Sequence, residues 1–93
     1  MSQNTQNPYF YTLDGTQLEI VGATYVYIYN DNSTSNESVT IANNETGQSI
    51  NLQASCVMEL SPDRGNTLQT LILTPNGDNL VYVTMIGGTA QIL

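Results

Sequence analysis

Thr24-Tyr25-Val26-Tyr27-Ile28-Tyr29-Asn30 is the stretch whose reading decides the fold. Tyrosines alternate with β-branched residues, both strand-favouring types, and the run stops in an Asn/Ser-rich turn. Successive side chains leave a strand in opposite directions, so Tyr25, Tyr27 and Tyr29 share one face and Val26 and Ile28 the other. The second face suits a dry core, and the first carries three phenols. A central strand of a half-buried sheet is the expectation.

Outward from that strand the chain alternates short apolar runs with turn signals. Toward the N-terminus, Gln17 to Val21 carries Leu18 and Ile20 at strand spacing, and Pro8 to Leu13 carries Tyr9, Tyr11 and Leu13 on one side with Phe10 on the other. Asp14-Gly15 between them predicts a hairpin, because both positions accept positive φ. Residues 1–7 read as a polar arm, flexible or ordered by a partner, and residues 8–93 as one β-sandwich domain.

Toward the C-terminus, Asn30 to Asn36 is a polar loop with no apolar anchor, expected to be mobile or partner-bound. Glu37 to Ala42 and Gln48 to Gln53 read as strands around the turn Asn43-Asn44-Glu45-Thr46-Gly47. Ser55 to Leu60 follows with Cys56, Met58 and Leu60 inward, a short helix being the alternative. Ser61 to Asn66 turns into Thr67 to Thr74, and Pro75 to Asn79 turns that back into Leu80 to Ile86. Both of these runs are apolar on two faces, which marks central strands or strands covered by a neighbouring subunit. Gly87-Gly88 breaks the pairing, and Thr89 to Leu93 closes the chain against a sheet. About seven to eight short strands with turns between them make an antiparallel sandwich, Greek-key or meander, of mostly consecutive hairpins.

Composition removes several functions. Eight carboxylates stand against one basic residue, Arg64, with no Lys or His, for a net charge of −7. Duplex nucleic acid and anionic membranes are bound through Lys and Arg, so neither is an expected partner. Serine or cysteine catalysis lacks its usual base, and one Cys without His cannot build a zinc site. No two of the eight acids stand out as a glycosidase pair. The Asn/Asp/Gly runs at 30–34 and 76–79 lack the spacing of a calcium loop and read as turns. No enzyme, metal or cofactor is expected. Cys56, beside Val57-Met58, reads as a small buried hydrophobe. No apolar run approaches a membrane span, and residues 1–7 lack the core of a signal peptide.

The tyrosines carry the functional signal, since rigid amphipathic rings suit protein interfaces. Tyr9, Tyr11, Tyr25, Tyr27 and Tyr29 are the candidate contacts, with Arg64 as a cation able to pair across an interface.

Tyr27-Ile28-Tyr29-Asn30, Glu37-Ser38-Val39-Thr40-Ile41, Gly47-Gln48-Ser49-Ile50-Asn51-Leu52, Met58-Glu59-Leu60-Ser61 and Leu80-Val81-Tyr82-Val83 together give residues 24–93 a pattern. It resembles the small β-sandwich proteins of tailed-phage virions, the head-decoration or cement proteins and tail accessory proteins. Such modules often have a Pro-Gly turn between the fifth and sixth strands, where this chain has Ala54-Ser55. The resemblance implies a protein made in a host cytoplasm, without a catalytic site, that assembles into a virion. Its partner would be a major capsid or tail protein together with copies of itself, a trimer being favoured. Two other readings are a carbohydrate- or receptor-binding module stacking sugars on Tyr25, Tyr27 or Tyr29, and a small acidic inhibitor of a host protein.

Overall fold

Alternating apolar positions become strands wherever their buried face finds another sheet. In a computed structural model that describes residues 7–93, they form β1 (Pro8–Asp14), β2 (Leu18–Val21), β3 (Tyr25–Asn30), β4 (Val39–Asn43), β5 (Ser49–Leu52), β6 (Val57–Leu60), β7 (Leu71–Pro75), β8 (Leu80–Ile86) and β9 (Thr89–Ile92). The expected arm falls almost wholly outside the described residues. No helix forms among the described residues, and hence none long and apolar enough to cross a membrane.

Two antiparallel sheets result, one in the order β1-β8-β3-β6 and the other β5-β4-β7-β2-β9. Their inner faces meet through Leu13, Val26, Ile28 and Val83 on one side and Leu18, Ile20, Ile41 and Leu73 on the other, all buried. Each such side chain contributes about 1.5–3 kcal/mol when fully removed from water. The chain is thus the antiparallel β-sandwich its patterning predicts, with β7 and β8 as central strands.

The connections differ from the expectation. Only β4 and β5 pair as a consecutive hairpin; β1 pairs with β8, β2 with β7 and β3 with β6. These nested pairs describe one long hairpin rolled so that successive pairs fall in alternate sheets, the jelly-roll arrangement of two Greek keys. β9 is added beside β2. The meander reading therefore falls, and so does the Asp14-Gly15 hairpin. Gly15 does turn the chain, with φ +72°, but the turn passes from one sheet to the other.

Three smaller corrections follow from edges and links. Cys56 is exposed, because it leads into β6, an edge strand with no neighbour on its outer side. Thr67 to Thr70 stays outside the strand and crosses between sheets, held by Leu68 N–H donating to Ala23 O at 2.8 Å. The loop after Asn30 is anchored through polar atoms. Asn30 and Asn79 are both fully buried, and Asn79 Nδ2 donates to Asn30 Oδ1 at 2.8 Å. Asn30 Nδ2 donates in turn to Glu37 O at 2.9 Å and Leu52 O at 3.1 Å. Ser55 adopts φ +65°, and its N–H donates to Asn30 O at 2.7 Å.

Candidate protein-docking face

The outer face of the four-stranded sheet is set by register. Opposite residues form rows across the strands: Thr12, Tyr82, Tyr29 and Val57, then Phe10, Thr84, Tyr27 and Glu59, then Pro8, Ile86 and Tyr25. Their neighbours along each strand, such as Val26, Ile28, Val81 and Val83, point into the core. Rows repeat every second residue, about 7 Å, and strands lie about 4.8 Å apart, so the face spans roughly 15 Å in each direction.

Tyr25, Tyr27 and Tyr29 lie together on this face, half-buried, as the alternation predicts. Tyr9 and Tyr11 do not join them. They sit opposite Met85 and Val83, both buried, and so belong to the inner side of the edge strand β1, where Tyr11 packs against the core. Arg64 is exposed in the loop after β6, beside a hollow shared with Thr24 and Asp63, and is not part of the face. Two residues outside the predicted contacts also lie here. Phe10 is 74% exposed and Tyr82 41%, and both fall on the tyrosine face by strand parity once β1 and β8 are known to flank β3. That neighbourhood is a tertiary fact, invisible in a strand read alone.

The rings are held in place. Tyr29 and Tyr82 stack with centroids 6.2 Å apart and planes 14° from parallel. Tyr25 OH donates to Glu59 Oε2 at 2.7 Å, which holds the phenol's pKa above its ordinary value, since losing the proton would break that bond. The pKa of Tyr29 is also raised, first by the partial burial of its ring and then by Asp31, the carboxylate its OH faces at 3.4 Å. Asp31 is pushed the other way, its charged form stabilised chiefly by the Ser33 hydroxyl that donates to it. The face thus combines aromatic surface, phenolic donors and acceptors, and carboxylates, without a cation of its own. No three His, Cys, Asp or Glu side chains converge among the described residues.

Compared with known protein families, curated proteins and solved structures, the chain matches none.

Proposed function

We propose that this chain is a non-enzymatic structural protein that docks the outer face of its four-stranded sheet on a larger structural protein, as a component of a virion. The observation that carries the reading is the face itself, on which Phe10, Tyr25, Tyr27, Tyr29, Tyr82 and Val57 are contiguous, with Phe10 and Val57 74% and 51% exposed. Clustered, rigid aromatic rings near the centre of a patch are what interface hot spots are made of. The rim charge defines the partner's chemistry. Glu59 and Asp31 lie at the face in a chain of net charge −7, so the complementary surface brings Arg or Lys, able to pair with the carboxylates and to sit against phenol faces.

Capsid proteins, lectins and enzymes all use the jelly roll, so the choice among them rests on the face and not on the fold. The phage-virion resemblance favours the capsid or tail partner. A sugar platform at Tyr29 is less favoured, because one face of its ring is already stacked on Tyr82.

The test is to fractionate native material that makes the chain by particle size, with wild type and Tyr27→Asp compared. The expected outcome is wild type co-migrating with large particles and the variant released, its affinity weakened at least 30-fold, which is about 2 kcal/mol at a central aromatic contact. Wild-type chain running free of any particle overturns the proposal.

A further inference from the structure

We infer that β1 is a self-pairing edge, which joins antiparallel to β1 of a second copy about a two-fold axis at Tyr11. This goes beyond the docking face and does not rest on it, because it uses the strand's backbone edge, which no other described strand pairs.

The phase of the ladders shows which groups are free. Asp31 N–H donates to Leu80 O at 3.0 Å, and those two residues continue the β3–β8 register, so Tyr29, Tyr27 and Tyr25 turn their backbone groups toward β8. Asn30 N–H donating to Cys56 O at 3.1 Å independently puts the alternate residues of β3 in phase with β6. It follows that Val81, Val83 and Met85 of β8 turn theirs toward β1, where they meet Leu13, Tyr11 and Tyr9. The N–H groups of Phe10, Thr12 and Asp14 therefore point away from the sheet. Pro8, which has none, stands at the strand's start.

Natural edge strands are kept short, bulged or lysine-bearing to prevent such pairing. β5, β6 and β9, the other edges, are four residues each, whereas β1 is seven and its register with β8 runs without a bulge from Pro8 to Asp14. It carries no Lys, and Tyr9 and Phe10 are 48% and 74% exposed.

Charge selects a second copy as the occupant. Two chains of net charge −7 repel unless they meet on a neutral patch. β1 and β9 themselves carry one carboxylate, Asp14, at the end of β1; Glu19 lies opposite Gln91 of β9, and Asp78 Oδ1 stands near Gly15, just past that end of β1. Pairing about Tyr11 sets Phe10 against Thr12 of the copy and Asp14 against the copy's Pro8. The two Asp14 carboxylates then stand at opposite ends of the ladder, roughly 20 Å apart and beyond the screening length at physiological salt. Tyr9 and Tyr11 share a hollow with Thr89 and Ala90 of β9, so the start of that strand borders the paired edge. A two-fold pair of this kind is an even-numbered unit, in place of the trimer the resemblance implies.

The experiment is sedimentation of the purified full chain at micromolar to submillimolar concentration. Wild type is expected at twice the 10.1 kDa chain mass. Thr12→Pro removes an N–H the fold does not use, so its circular dichroism is expected to match wild type while self-association weakens at least tenfold. In a Cys56→Ser background, Tyr11→Cys is expected to oxidise to a disulfide-linked dimer, since directly opposed residues without mutual hydrogen bonds lie about 4.5 Å apart at Cα. A monomer throughout, or a dimer undiminished in Thr12→Pro with no Tyr11→Cys cross-link, overturns the inference. A monomer that still enters native particles overturns it while leaving the docking proposal standing.

Discussion

Asn30 does two jobs that one strand position rarely combines. Its backbone ends the tyrosine strand, donating to Cys56 O at 3.1 Å, and its buried amide donates to Glu37 O in the following loop and to Leu52 O at the end of β5 while accepting from Asn79 Nδ2. Asn30→Ala would leave the buried Leu52 carbonyl without this donor and the buried Asn79 amide without its Asn30 acceptor, while Asn79 Nδ2 still donates to Glu37 O at 3.3 Å; a loss of about 1–3 kcal/mol is expected from urea denaturation. A change under 0.5 kcal/mol would mean that water replaces the amide without penalty. The residue's place at the strand end was legible from the alternation. Its clamp was not, because the partners lie 7, 22 and 49 positions away and a turn-forming Asn looks the same in sequence as a buried one. Cys56 shows the reverse error: apolar neighbours predicted burial, but whether a strand face is covered depends on what lies beyond it.

At the scale of elements, strand positions were legible and connections were not. Period-two alternation marks β3, β4 and β8 within a residue or two, since the repeat follows from backbone geometry. A Gly turn, in contrast, reverses the chain without saying which sheet it enters. Gly88, in the link from β8 to β9, crosses between sheets at φ +73° with Ala23 N 2.7 Å from where a Cβ would lie and Val21 O closer still. Gly47, closing the β4–β5 hairpin, has φ +79° but open space around it. Gly47→Ala is expected to cost about 1–2 kcal/mol for the left-handed backbone alone. Gly88→Ala adds a clash with main chain and should cost clearly more, enough to lower the thermal midpoint by over twice as much. Equal shifts in the two variants would show that the link at Gly88 relaxes freely.

For the whole molecule, the nested pairing has a kinetic consequence. Apart from β4–β5, every ladder joins strands distant in sequence, so loop-closure entropy must be met before most contacts form. Stopped-flow refolding is expected in milliseconds to seconds; microsecond folding would imply a local nucleus that this topology does not contain. The sequence by itself determined the class of the protein: alternation, turn residues and the scarcity of helix formers leave only sheets. Which tyrosines share a surface was decided only by tertiary structure. Tyr9 and Tyr25 alternate with their neighbours in the same way, yet one faces the core side and the other the solvent. Parity within a strand is local, whereas the side on which a second sheet lies is set by pairings between residues dozens of positions apart.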